Sequence, residues 1–93
     1  MKYTNIYKAK KGLIRVIKSV EDGRIKEIRI TGDFFMYPET ALETLEKMLI
    51  NVRDTKEDIK VAVDNFFKAT RAQTPFVSED DFVMAIAGEG NES

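Results

Sequence analysis

Residues 13–31, LIRVIKSVEDGRIKEIRIT, carry the strongest local fold signal of the chain. Two runs rich in β-branched side chains, 13–20 and 25–31, flank a turn that contains Asp22 and Gly23. Asp-Gly between two such runs predicts a tight hairpin, because glycine accepts the positive φ that the turn requires. Residues 3–9 predict a further strand, joined to the hairpin by a bend at Lys11 and Gly12.

The two faces of the predicted hairpin differ in composition. One is a core face with apolar members: Ile14, Val16, Val20, Ile28 and Ile30. The opposite, outer face mixes apolar and charged side chains: Leu13, Arg15, Ile17, Ile25, Glu27 and Arg29. The outer face therefore has more apolar side chains than is usual for a sheet face exposed to solvent. One interpretation is a docking face formed by Leu13, Arg15, Ile17 and Arg29, and the other is partial cover by a helix or a terminus.

Residues 32–38, GDFFMYP, end the sheet section, and the remaining sequence predicts helices. Pro38 suits a first helical turn, and Glu39 complements the positive end of that helix. Apolar residues at helical spacing predict helices over about 39–50 and 56–70, and Ser78 caps a short last helix. The order predicts an α+β fold, with a three-stranded antiparallel meander followed by three helices packed on one face. We expect a single domain over 1–87 and a flexible tail over 88–93.

Cysteine and histidine are both absent from the 93 residues. Thiolate chemistry, cysteine-ligated metal and imidazole catalysis are therefore excluded. The acids at 79–81 fit the first turn of a helix better than a metal site, so we predict no metal ligands. The run Lys10-Lys11-Gly12 lacks the pattern of a phosphate loop, although a lysine contact into a neighbouring subunit's site stays open. We expect no complete catalytic site.

Charge is distributed unevenly along the chain. Residues 1–29 hold nine basic and three acidic side chains, a net +6, and the rest hold six and thirteen, a net −7. This polarity favours oriented docking on a complementary partner, and a solvated basic sheet beside acidic helices explains it equally well. No recognition-helix pattern predicts nucleic-acid binding. The sequence has no apolar run long enough to cross a bilayer and no pattern of a secretory signal. We therefore expect a cytoplasmic protein without membrane contact.

The adjacent rings of Phe34 and Phe35 follow Gly32 and Asp33 where the sheet gives way to helix. Either both rings are buried by a twist at Gly32, or one is buried while the other faces a partner. Asp33 is expected to accept backbone N–H groups of this segment or to cap the next helix, rather than to take part in catalysis.

The run 28–39, IRITGDFFMYPE, resembles the signature of the lipoate–protein ligase C-terminal accessory domain family. In that family a hairpin strand leads into Gly-Asp-Phe-Phe, then a proline-containing junction, then a helix with a Leu-Glu pair, which here is Leu45-Glu46. Residues 11–14, KGLI, are similar to the opening of the family's second strand. The resemblance covers about residues 3–87. The scaffold also resembles the iron–sulfur scaffold and sulfur-acceptor fold, whose activity needs the cysteines that this chain lacks.

This resemblance implies the stand-alone small subunit of an archaeal-type, two-protein ligase, not catalytic alone. The pair activates lipoate with ATP to lipoyl-AMP and transfers the lipoyl group to a lysine of acceptor lipoyl domains or the glycine cleavage H protein. ATP, lipoate and Mg²⁺ are expected in the catalytic subunit, with no cofactor bound by this chain alone. The implied partner interface contains the family motif residues Gly32, Asp33, Phe34, Phe35 and Pro38.

Two other functions remain at this point. The chain can be an adaptor that recruits acceptor lipoyl domains through its basic strands, without a role in adenylation. It can also be a small independent enzyme that uses carboxylates or lysines, and this is the least supported of the three.

Overall fold

Three antiparallel strands precede three helices in the computed structural model, which describes residues 1–88. The sheet has the order β1-β2-β3, so each strand pairs with its neighbour in sequence. The predicted α+β meander is confirmed. The elements are β1 (Lys2–Ala9), β2 (Gly12–Glu21), β3 (Arg24–Asp33), α1 (Ala41–Leu49), α2 (Lys56–Thr70) and α3 (Glu79–Ala87).

The β2–β3 turn has the geometry that its sequence predicts. Asp22 and Gly23 have φ values of 54° and 75°, so both central residues lie in the left-handed region that a two-residue hairpin turn of this type requires. Of the predicted tail, Gly88 ends α3 and donates its N–H to the Met84 carbonyl at 2.8 Å. The remainder of that tail lies outside the described residues.

All three helices place their apolar stripes on the core face of the sheet. Side chains that are fully shielded from solvent there include Ile14, Val16, Ile30, Leu45, Leu49, Ile59, Val63, Phe66, Phe82 and Ile86. The helix caps also follow the sequence. Ser78 and Asp81 form a reciprocal capping box at α3, and the Thr55 hydroxyl accepts the Asp58 N–H at 3.2 Å at α2.

The placement of Ile25 on the outer face is wrong. Ser19 pairs with Glu27 and Val20 pairs with Ile25, so Lys26 is an extra residue on β3. Such a bulge interrupts the two-residue alternation of side chains. Ile25 consequently points into the core and is completely buried.

The prediction that Pro38 lies in the first turn of α1 is also wrong, because the helix begins at Ala41. Tyr37 is still extended and forms an isolated bridge with Gln73, and a cis peptide bond joins it to Pro38. The Ala41 N–H then bonds to the Pro38 carbonyl at 3.0 Å, which turns the chain into the helix. Because Tyr37 pairs with Gln73 in a distant loop, the helix begins only at Ala41.

Lys18 is a buried charge in the core face of β2, with 3% of its side chain exposed. Its ammonium group pairs with the carboxylate of Asp54, just before α2, and donates to the Ile86 carbonyl of α3 at 2.7 Å. The Asn5 amide donates to the neighbouring Ala85 carbonyl at 3.1 Å. Two polar side chains of the sheet thus satisfy carbonyl groups that the last turn of a helix leaves without an intrahelical partner.

None of the helices within residues 1–88 is long and apolar enough to cross a membrane.

The two partners of the buried ion pair are unequally exposed, at 3% for Lys18 and 22% for Asp54. Asp54→Ala leaves an ammonium group almost without water, whereas Lys18→Met leaves a carboxylate that water still reaches. We expect Asp54→Ala to lower the free energy of unfolding by about 3–5 kcal/mol and Lys18→Met by less. Urea unfolding measures both, and the double variant should lose less than the two single losses added together. Equal and additive losses would contradict this coupling.

Glu79 lies at the start of α3 close to Asp64 of α2. Burial raises the pKa of Glu79 above its usual 4.5, and the charges of Asp64 and Asp80 and a hydrogen bond with Asp64 raise it further, while Lys68 opposes them. A raised folded-state pKa means that ionised Glu79 disfavours the fold, so this contribution worsens as pH rises through that pKa. The melting temperature of Glu79→Gln relative to wild type should therefore be higher at about pH 7 than at about pH 4. A difference that is constant across this range would show that the fold does not raise the pKa of Glu79.

Candidate docking surface

The junction between sheet and helices (residues 32–38) begins with a backbone that only glycine fits. Gly32 has a φ of 148°, and a Cβ atom added to it would lie 2.1 Å from the Leu13 carbonyl oxygen. The end of β3 can therefore lie against β2 only without a side chain at this position. This geometry explains the glycine of the Gly-Asp-Phe-Phe motif in physical terms.

The two phenylalanines after Gly32 point in opposite directions. The Phe34 ring packs edge-to-face against Phe82 of α3, with centroids 5.3 Å apart. The Phe35 side chain is 63% exposed, and its ring is stacked parallel to Tyr37 at 6.4 Å. The arrangement with both rings buried is therefore wrong, because Phe34 is partly buried against the core and Phe35 is mostly exposed. Contact between Phe35 and a partner stays a prediction.

Tyr37 and Phe76 extend this exposed aromatic group, which we call the aromatic end (Phe35, Tyr37 and Phe76). Tyr37 is half exposed and exchanges two backbone hydrogen bonds of 2.8 Å with Gln73. Phe76 is 68% exposed and has a φ of 69°, which bulky side chains rarely adopt. Strain of this kind persists only where the surrounding structure enforces it.

The frame beneath the aromatic end is fixed from several sides. A Cβ atom added to Gly12 would lie 3.1 Å from Val77 and 3.7 Å from the Cβ of Phe34, so the β1–β2 turn, the junction and the 73–77 loop meet there. Val77 is buried, and its carbonyl accepts the Thr74 hydroxyl at 2.7 Å. The exposed rings are therefore attached to a rigid base and lose little freedom when a partner binds them.

The β1–β2 turn supplies positive charge to this end of the molecule. The Lys11 ammonium group lies 5.1 Å from the centroid of the Phe76 ring, a cation–π distance. Lys10 precedes it in the same turn and is exposed. A partner that covers the rings would thus find an apolar surface with a basic border.

The outer face of the sheet brings together the four residues predicted for docking. Ile17 pairs with Arg29, and Leu13 and Arg15 alternate with buried residues on the same strand. The face also contains Ile6, which is 43% exposed and pairs with Arg15. The helices pack on the opposite face, so partial cover of this surface by a helix is not observed within residues 1–88.

The expected role of Asp33 is not found. Its carboxylate is exposed and accepts no hydrogen bond from any residue between 1 and 88, and α1 begins eight positions later, too far for capping. A different acid of the family pattern, Glu46, bonds to the edge of the sheet. The Glu46 carboxylate accepts the Ile30 N–H of β3 at 2.7 Å, while its neighbour Leu45 is fully buried.

Two residues of the aromatic end were missed by the sequence analysis. Phe35 and Tyr37 are two apart in an extended segment, and this spacing places both on one side, so Tyr37 had a readable signal. Phe76 had none, because its exposure depends on a backbone conformation that its side chain does not predict.

Tyr7 is the other titratable group with a perturbed environment near the sheet. Burial raises the pKa of its hydroxyl above 10.0, and the carboxylates of Asp81 and Asp80 raise it further. Within residues 1–88 no three acidic side chains are grouped so that they could hold a metal ion.

A family model and a sequence relative identify the same family. Residues 1–86 match the family described as the C-terminus of bacterial lipoate protein ligase. Lipoate-protein ligase A subunit 2 of Thermoplasma acidophilum is 42% identical over 86 residues, which are 92% of this chain and 88% of that protein. A solved structure described as an archaeal lipoylation system of that organism, with a bipartite lipoate protein ligase and its lipoyl domain, contains a similar chain. That chain has a TM-score of 0.85 and 42% identity, with 92% of this chain and 94% of that chain covered.

Gly32→Ala should destabilise the fold strongly, because it combines a disfavoured φ with a clash against the Leu13 carbonyl. We expect the free energy of unfolding to fall by more than about 3 kcal/mol, measured by urea denaturation. Gly23→Ala is the matched control, since Gly23 also has a positive φ but an added Cβ meets nothing within 4 Å. Its cost should be about 1–2 kcal/mol. Similar losses for both variants would show that the close approach at Gly32 is not what requires glycine.

Proposed function

The chain belongs to the family of bacterial lipoate protein ligase C-termini, and on that basis we propose that it is the accessory small subunit of a two-protein lipoate–protein ligase. The observation that carries this proposal is the 42% identity to a protein named subunit 2 of such a ligase, over nearly the full length of both chains. The partner in this proposal is the catalytic large subunit, with which the chain forms a heterodimer in the cytoplasm.

The aromatic end and the outer face are the surfaces that support this partnership. Phe35 and Phe76 are each about two thirds exposed, whereas the core rings of Phe66 and Phe82 are fully buried. Exposed aromatic rings on a rigid base are typical of the residues that dominate binding energy at interfaces. The charges of Arg15 and Arg29 add orientation to the contact.

The role of the subunit is to promote adenylation without supplying a reacting group. The chain has neither cysteine nor histidine, and in this proposal the reacting groups belong to the large subunit. We assign ATP, lipoate and Mg²⁺ to the large subunit, where the lipoate carboxylate joins AMP and pyrophosphate leaves. Docking of this chain orders the nucleotide and lipoate loops of that subunit, which favours the reactive conformation by the difference in docking affinity between the ordered and disordered states.

The lipoyl group then passes from lipoyl-AMP to a lysine of an acceptor. Acceptor lipoyl domains and the glycine cleavage H protein are the acceptors that family membership suggests. The lipoyl domain in the description of the solved relative supports a partner of this kind.

Pyrophosphate release from ATP that depends on lipoate is the direct test. The catalytic subunit of the same organism is assayed alone and with an excess of this chain, without any acceptor domain. We expect the rate to rise by at least tenfold on addition of the chain. Equal rates with and without it would disprove the adenylation role.

Phe35→Ala tests whether the aromatic end makes the contact. The ring is mostly exposed, so its loss should change the melting temperature little but raise the dissociation constant for the catalytic subunit at least tenfold. Val61→Ala on α2, where the side chain is 59% exposed, removes apolar surface away from this end and should bind as wild type does. Binding is measured by calorimetry, and equal affinity of both variants would show that the interface does not include the aromatic end.

A second candidate function is an adaptor that binds acceptor lipoyl domains through the basic strands. The exposed side chains of Lys2, Lys8, Arg15 and Arg29, which share the outer face, favour it. The adaptor predicts salt-sensitive binding of an acceptor domain to this chain alone, and no effect on pyrophosphate release. A titration at low ionic strength without interaction would remove it.

A further inference from the structure

The two edges of the sheet are treated differently by the rest of the chain. The edge of β3 is occupied, because Ile25 donates its N–H to the Val52 carbonyl at 2.9 Å and accepts the Asn51 N–H at 2.7 Å. Farther along the same edge, the Glu46 carboxylate accepts a hydrogen bond from the Ile30 N–H. The bulge at Lys26 adds a distortion that prevents further pairing.

The edge of β1 has no such protection. Met1 and Val20 exchange both backbone hydrogen bonds, which fixes the alternation along β1. Odd-numbered residues bond to β2, and the N–H and C=O groups of the even-numbered residues point away from the sheet. Within residues 1–88, no hydrogen-bond partner is found for these outward groups, which belong to Lys2, Thr4, Ile6 and Lys8.

A regular edge of this length is a template for another strand, because each outward N–H and C=O can continue the ladder. The side chains of the same four residues lie on the outer face, where Ile6 is 43% exposed between Thr4 and Lys8. An added strand would thus extend the outer face and cover Ile6.

A second copy of this chain fits this edge poorly. The antiparallel register that pairs the whole outward set places Lys2 opposite Lys8 of the second copy, at both ends of the ribbon. Like charges directly opposite each other destabilise a strand pair. The complementary strand carries acidic side chains at these two positions and an apolar side chain opposite Ile6.

We propose that the open edge of β1 pairs with an extended, acid-flanked segment of the catalytic subunit, which adds a fourth strand to the sheet. This inference rests on the proposed function for the identity of the partner. It gives the complex a backbone-to-backbone contact in addition to the aromatic end, and the lysines at both ends of the edge select this partner over a second copy.

Hydrogen exchange of single amides tests the pairing without any substitution. In the free chain the amides of Thr4 and Ile6 should exchange rapidly, whereas those of Asn5 and Tyr7, which bond to β2, should be protected. In the complex with the catalytic subunit, the exchange of Thr4 and Ile6 should slow at least tenfold. Rapid exchange of both amides in a complex that still forms would overturn the edge proposal and leave the proposed function intact.

Thr4→Pro tests the same contact by removing an outward N–H group. Proline is tolerated on an edge strand at a position that donates no hydrogen bond to the sheet, and circular dichroism checks that the variant is folded. We expect affinity for the catalytic subunit to fall at least tenfold, and to fall much less in Thr4→Val, which keeps the N–H group. Wild-type affinity of a folded Thr4→Pro chain would overturn the proposal.

The oligomeric state of the free chain is the last test of the proposal. Analytical ultracentrifugation should show a monomer at micromolar concentration. A dimer with protected Thr4 and Ile6 amides would assign the edge to a second copy and overturn the proposal. Failure of wild type to bind the catalytic subunit at all would instead refute the proposed function.

Discussion

The buried ammonium group of Lys18 is the contact on which the assembly of sheet and helices depends. A single side chain joins β2 to Asp54 at the entry of α2 and to the Ile86 carbonyl at the end of α3. α3 has only nine residues, too few to be stable in water by itself. Its position therefore follows from its buried face and from the polar groups of the sheet that bond to its last carbonyls.

The position of α3 in turn determines what the junction can expose. Phe82 extends from α3 into the core and holds the Phe34 ring at its edge. With Phe34 fixed in this way, the extended backbone turns the Phe35 ring outward, and Tyr37 stacks against it. An exposed aromatic surface is thus built from the core outward, and the family motif packs one ring and leaves the next one open to the proposed partner.

Local signals were sufficient for much of this fold. The Asp22-Gly23 turn, the apolar stripes of the helices and the capping box at Ser78 were readable, because each depends on neighbours within a few residues. Lys18 falls on the core face by the same alternation, and a charge at that position was a signal of a buried partner. Ile25 and Phe76 were not readable, since a bulge and a left-handed φ are set by contacts between distant segments.

In the proposed role the subunit supplies no reacting group, so it would accelerate adenylation only through binding energy. A partner whose reactive conformation is populated at 1% needs about 2.7 kcal/mol of preferential docking to make that conformation the equal of the other. One or two exposed aromatic anchors on a rigid base supply an amount of this size. In the proposed role the small fold therefore contributes rigidity, because flexible rings would lose part of that binding energy when they become ordered on the partner.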